Sequence, residues 1–363
     1  MMNKTIINAL KLLDKMVGPL LLRLPILRYK SSNSLKSILI IRPGGIGDAA
    51  LLLPLIKGLK KNLLDAKIDI LCEPRNMGVF TGAYYIDKIL SYWSLKDVTR
   101  LMQKGYDLII DTEQSHLLST FFATSIIKAS KRVGFSSNKN RKHYDINLPY
   151  YHEEYEVHSF NRLFSHAIPG WREELIGEPP YIYVSDNQRK KVEEIISSIK
   201  RPIACIFAGA SIPLRRWFPK RWAKVSEGLW DMGFYPVLLG SRQEERINER
   251  ICYYSKSPVI NLTGMLNLAE IAELFRRSRL LVSTDSGILH IGVIEGISTV
   301  SLFGPGIADK WGPKGNGHIV IRKDLSCSPC TRFGHTPFCQ KNALCMRLIG
   351  IDDVMSAIEN IIN

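Results

Sequence analysis

The sequence predicts an α/β protein made of two similar halves, each a doubly wound parallel sheet. Three observations carry that prediction. Short apolar runs bounded by turn residues alternate with helical stretches along most of the 363 residues. The alternation lapses over the Tyr-, Glu-, Gly- and Pro-rich segments 150–155 and 170–183 and then restarts. Turns of small residues recur where strands end, the edge at which open α/β sheets bind ligands. The length suits two domains, each with its own core.

The elements follow in order. Residues 1–36 carry Lys4, Lys11, Lys15, Arg23, Arg28, Lys30 and Lys36 against one acid, Asp14. Ile6, Ile7, Leu10, Leu13, Met16 and Val17 recur there at roughly helical spacing until Gly18-Pro19. This basic amphipathic extension is expected either to lie on an anionic membrane or to pack on the protein's own surface. A first strand over 37–41 leads through Arg42-Pro43-Gly44-Gly45-Ile46-Gly47-Asp48 into a helix over 49–63. Strands are read at 68–72, 88–90 and 108–110, and a long Ser/Thr/Ala helix over 117–129. After the connection come a helix over 187–198, strands at 203–207 and 236–239, and helices over 221–232, 244–253 and 269–276. Leu280 to Val282 reads as a buried parallel strand, 283–287 as its turn and 288–295 as a helix closed by Gly296. A strand over 299–303 ends at Gly304-Pro305-Gly306, and an amphipathic helix over 352–361 closes the chain.

Composition narrows the function classes. A net charge of +15 implies an anionic partner: nucleic acid, a membrane surface or a phosphorylated substrate. Seven cysteines without a signal peptide suggest a reducing, cytoplasmic compartment. No run approaches the roughly 20 apolar residues of a membrane span, so a soluble or peripheral protein is expected.

Several turns carry chemistry. Ser283-Thr284-Asp285-Ser286-Gly287 opens a helix whose free N–H groups suit a phosphate, although Asp285 or Ser286 there also reads as a plain N-cap. His290, three residues after Gly287, sits on the face pointing back toward the turn. Gly209-Ala210-Ser211 ends another strand and is followed by Arg215-Arg216, two guanidiniums suited to a diphosphate. Gly240-Ser241 closes the next strand in the same way. Their repetition favours a nucleotide-diphosphate site in the second half.

In the first half, Gly45-x-Gly47 and Glu73 formally fit a dinucleotide-binding fingerprint. Asp48 argues against it, because its carboxylate would compete with a pyrophosphate for the same N–H groups. A carboxylate there suits the acceptance of a proton from a substrate hydroxyl, or simply caps the helix. The basic run 128–142, with Arg132, reads as a cradle for a phosphorylated or carboxylated acceptor; few aromatics accompany the charges, against nucleic acid. Cys327-x-x-Cys330, Cys339 and Cys345 include half of a zinc knuckle, but the later spacing favours reduced thiols or a disulfide over a metal. Asp111-Thr112-Glu113 is the nearest approach to a metal-binding D-x-D, so a metal-bridged diphosphate is not favoured. Helix dipoles and Arg215 would stabilise the leaving group.

These blocks, in this order, resemble the heptosyltransferases of glycosyltransferase family 9. The matching stretches are ILIIRPGGIGDAALLLPLIKGLK, YDLIIDTEQS, RVGF, GASIPLRRWFPKRWAKV, PVLLGSRQEE, NLTGMLNLAEIAELF, LVSTDSGILHIGVIEGISTVSLFGP and CSPC…CM, about 37–346. The resemblance implies a GT-B fold, two Rossmann-like domains facing an interdomain cleft. It implies inverting transfer of heptose from ADP-heptose, or another ADP-sugar, to lipopolysaccharide inner core or a related glycan, with no required cofactor or metal. The catalytic aspartate falls on Asp48 by position. Donor contacts fall on Ser211, Arg215, Thr284, Asp285, Ser286, Gly287 and His290, with the adenine side near Leu266. Arg42, Gly45, Glu113 and Arg132 are expected on the acceptor side. The chain departs from the family pattern at Gly44-Gly45, where a small hydroxyl pair is usual. It also has Arg215 for a common lysine and Glu113 for a common glutamine. The domains expected are 37–183 for the acceptor, 184–346 for the nucleotide sugar, and a helix in 347–363 packing back on the first domain. A peripheral position on the inner face of the cytoplasmic membrane follows. The rival readings are an NAD-dependent oxidoreductase using Gly45, Gly47 and Glu73, and a charge-driven membrane or nucleic-acid binding protein.

Overall fold

The computed structural model describes residues 14, 16–30, 34–136, 143–173, 176–332 and 334–362. The amphipathic pattern before Asp14 and the basic positions 137–142 lie outside them. The chain divides into two units, Met1–Tyr183 and Val184–Asn363.

The first unit holds one parallel sheet of six strands: β1 Ser37–Arg42, β2 Lys67–Cys72, β3 Lys88–Ser91, β4 Gly105–Asp111, β5 Lys128–Ser136 and β6 Ile146–Pro149. Their order is β3-β2-β1-β4-β5-β6. β1 and β4 are central and read as continuous apolar runs because both faces are covered. Helix α1, Ile46–Asn62, buries Ala49 through Leu53, Leu55, Ile56 and Leu59. Leu39, Ile41, Leu71, Leu90, Tyr106 and Ile109 form a cluster on one face of the sheet.

The expected helix over 117–129 is shorter. Leu117–Phe121 is α-helical, a π-turn takes Phe122–Ile126, and β5 begins at Lys128. Where the helix breaks, the Arg132 guanidinium gathers the carbonyls of Ala123, Leu27, Ile127 and Ala129. These include groups that a longer helix would have satisfied internally. The described part of the extension lies against the same region: Leu27 N–H donates to Thr124 O (2.8 Å), and the Asp14 carboxylate accepts from Leu118 N–H (2.6 Å).

The second unit repeats the topology. Strands β7 Ile203–Phe207, β8 Tyr235–Leu238, β9 Ile260–Asn261, β10 Leu280–Thr284, β11 Ser298–Leu302 and β12 His318–Ile321 lie in the order β12-β11-β10-β7-β8-β9. Counted from each unit's first strand, both sheets have the 3-2-1-4-5-6 order of a dinucleotide-binding fold. Trp217 and Trp222 meet edge to face at 5.2 Å in the core. The last helix, Ile351–Ile362, buries Val354, Ala357 and Ile358 in this unit's core. Trp217 Nε1 donates to the Ile349 carbonyl (3.2 Å) and Arg221 to that of Arg347 (2.7 Å), which fixes its approach.

Candidate functional site

In the first unit the site begins where β1 ends. Gly44 has φ +102°, the left-handed region that favours glycine, and Gly45 precedes α1 without a capping side chain. Asp48 lies in the first turn of α1, where the helix dipole favours a carboxylate, and its side chain is 22% exposed. Beneath it lies Arg42, 3% exposed. Its Nε donates to Pro43 O (2.6 Å), its Nη1 to Thr112 O (2.9 Å) and its Nη2 to Glu113 Oε2 (3.2 Å). The same Nη2 stands 3.9 Å from Asp48 Oδ1.

Glu113 follows β4 and is equally buried. It accepts from His116 Nδ1 (2.8 Å) and the Ser115 N–H (3.0 Å). Burial alone would raise its pKa, yet His116 and Arg42 together hold the carboxyl well below the usual range. Asp111 differs: burial pushes it up to about 6, although Ser119 and Tyr144 donate to it. Tyr150 OH donates to Glu156 (2.9 Å), a second buried carboxylate beside Arg42.

Three of the residues expected on the acceptor side are buried. Arg132 is fully enclosed, with its guanidinium on backbone carbonyls. Arg42 and Glu113 face each other and not an open surface. Gly45 remains at the turn itself, beside Asp48. Glu73, the ribose ligand of the oxidoreductase reading, pairs with Arg75 (2.6 Å).

In the second unit the turns after β7, β8, β10 and β11 converge. Thr284 Oγ1 donates to the Gly209 carbonyl, joining the β10 and β7 turns. Arg215 Nη1 lies 3.0 Å from Asp285 Oδ2, and the Arg215 Nε is buried with no hydrogen-bond partner among the described residues. A Cβ on Gly306 would stand 2.0 Å from Asp285 Oδ2, so the β11 turn is small because this carboxylate lies against it. Ser286 caps the helix Gly287–Ile294 by accepting from Leu289 N–H (3.4 Å), leaving earlier N–H groups of the turn free of that bond. His290 is buried, its ring 6.1 Å from that of Trp311. Gly264 N–H donates to Gly240 O (2.7 Å), which brings the loop carrying half-buried Leu266 beside the β8 turn; Ser211 is exposed.

Arg216 does not join Arg215: it donates to the Ala210 carbonyl (3.0 Å) and braces its own loop. Glu244 is a member that sequence reasoning missed. It is buried, accepts from Ser241 Oγ (2.7 Å), and has Gly209 and Gly240 closing on its side-chain carbons. The signal was the S-x-x-E capping box at 241–244. Cys327, Cys330, Cys339 and Cys345 are free thiols, the first exposed and the last buried. Among the described residues no group of three or more His, Cys, Asp or Glu is placed to hold a metal ion. No helix among them is long and apolar enough to cross a membrane.

Comparison with known proteins agrees with this arrangement. The profile of glycosyltransferase family 9 (heptosyltransferase) matches residues 95–337. Lipooligosaccharide heptosyltransferase 2 of Haemophilus influenzae is 25% identical over 79% of this chain and 88% of its own length. Among solved structures, a family 9 glycosyltransferase from Veillonella parvula aligns with TM-score 0.74 at 17% identity, covering 92% of this chain and 99% of that one. The E. coli ADP-heptose LPS heptosyltransferase II aligns with TM-score 0.70 at 20% identity, covering 90% and 98%. These likenesses give the GT-B fold. Neither the oxidoreductase nor the nucleic-acid reading finds support among them.

Proposed function

This chain belongs to glycosyltransferase family 9, and we propose that it moves a heptose from ADP-heptose to a hydroxyl of the lipopolysaccharide inner core or a related surface glycan. The acceptor oxygen attacks the anomeric carbon as Asp48 takes the hydroxyl proton. The bond from that carbon to the β-phosphate oxygen breaks, and ADP leaves with the electron pair. A single displacement of this kind inverts the anomeric centre and needs no covalent enzyme intermediate.

The observation that carries the reading is the Asp48 carboxylate, partly exposed on the first turn of α1 with a buried guanidinium behind it. A general base must reach its proton, and this side chain alone of the buried acidic cluster is open enough to do so. In the second unit, Arg215 with its unpartnered Nε and the N–H groups at Ser286 and Gly287 suit the charge that develops on the β-phosphate. Thr284 and Asp285 shape that turn. Ser211, His290 and the loop of Leu266 are assigned to the rest of the donor. This charge stabilisation requires no metal.

A peripheral place on the inner face of the cytoplasmic membrane belongs to the same proposal. Met16, Leu20, Leu24 and Ile26 are exposed beside exposed Arg23 and Lys30, a surface suited to anionic lipid. Release of ADP, GDP or UDP from a panel of nucleotide sugars tests the donor assignment: turnover of ADP-heptose above the others is expected, and a GDP- or UDP-sugar preference would contradict it.

A further inference from the structure

We propose that Glu113 is a positioning residue that acts through Arg42 to fix the Asp48 carboxylate, with Gly44 and Gly45 providing the space for that pair. The proposal rests on the reading of Asp48 as the proton acceptor and adds to it a relay that begins on a different strand.

The geometry is specific. Arg42 is held on three sides, by the carbonyls of Pro43 and Thr112 and by the Glu113 carboxylate, which leaves one edge of its guanidinium toward Asp48. Glu113 is itself fixed by His116 and the Ser115 N–H. An aspartate on a first helical turn has several rotamers, and an immobile cation behind it selects one at little entropic cost. The other charged groups around the guanidinium are Glu156, with Tyr150 on it, and Arg75, near Gly44.

The glycines complete the arrangement. A Cβ at Gly44 would stand 3.0 Å from Arg42 Nη2, and one at Gly45 would stand 2.8 Å from Asp48 Oδ2. A side chain at either position would crowd one member of the pair, so the two glycines leave the room that Arg42 and Asp48 occupy.

Steady-state kinetics on the full-length chain with ADP-heptose and acceptor test this. Arg42→Gln is expected to lower kcat by about ten- to a hundredfold, the scale of a misplaced reacting group, with donor KM and ADP affinity unchanged. Glu113→Gln should lower kcat in the same sense, Arg42→Lys should recover part of the loss, and the Arg42→Gln/Glu113→Gln double variant should fall no further than Arg42→Gln alone. Wild-type kcat in Arg42→Gln, or losses that multiply in the double variant, would overturn the relay. If Arg42→Gln fails to fold, Glu113→Gln decides, because it leaves Arg42 and Asp48 in place and removes only the carboxylate on the guanidinium. A lowered kcat with donor KM unchanged is then expected, and an unchanged kcat would overturn the proposal. Asp48→Asn separates the two levels. If it turns over normally, the base assignment itself fails; if it is inactive while Arg42→Gln is normal, only the relay fails.

Discussion

Arg215 and Asp285 form a largely buried ion pair, Nη1 to Oδ2 at 3.0 Å, at the mouth of the turn that opens the helix after β10. The carboxylate would repel a diphosphate at that helix end were it not neutralised, so in the proposed donor site the arginine would both hold the diphosphate and make its neighbour tolerable. Arg215→Ala should weaken ADP binding at least tenfold by calorimetry. It should also destabilise the second unit by about 3 kcal/mol, because the aspartate is left buried and unpaired. Unchanged ADP affinity would remove Arg215 from the site.

Arg132 makes the opposite prediction. Its guanidinium satisfies carbonyls around the end of the π-turn and touches no exposed surface. Arg132→Met should cost about 3 kcal/mol or more in denaturant unfolding, since several buried carbonyls lose their donors. Acceptor KM in the folded fraction should stay at the wild-type value.

Asp111 gives a pH dependence with a defined sign. Burial, only partly offset by Ser119 and Tyr144, raises its folded-state pKa to about 6. A raised carboxyl binds its proton more tightly folded than unfolded. Its contribution is therefore complete below the unfolded pKa of about 4 and declines as pH rises through about 6, by about 3 kcal/mol in all. Denaturant titrations at pH 4 and pH 7 should show Asp111→Asn gaining on the wild type by that order. Glu113 acts in reverse, its depressed pKa adding stability that is lost as pH falls below the ordinary carboxyl range. In an Asp111→Asn background, acid destabilisation should persist and Glu113→Gln should abolish much of it.

The last helix supplies a test of the second unit's core. Ile358 is fully buried among Trp222, Val354 and the sheet. Ile358→Ala should cost about 2–5 kcal/mol and lower the Tm without changing the donor preference.

The sequence made the architecture legible because its strands are continuous apolar runs: SILII became β1, and Leu280 to Val282 became the body of β10. The strand-end glycines of the second sheet have a packing reason, since only small residues fit where Glu244 and Asp285 press close. What escaped depends on partners far apart in the chain. Arg42 and Glu113 lie 71 positions apart, and no local pattern announces that one neutralises the other. Arg132, in a run that reads as exposed and basic, is buried on the carbonyl of Ala123, and Arg216 turns back on Ala210 while its neighbour takes Asp285.

Turnover of ADP-heptose by Asp48→Asn, with ADP binding measured on the same preparation, tests most directly whether Asp48 is the proton acceptor. A fall in kcat of about 10²–10⁴ with ADP affinity intact is the predicted result; wild-type turnover by a correctly folded Asp48→Asn would contradict it.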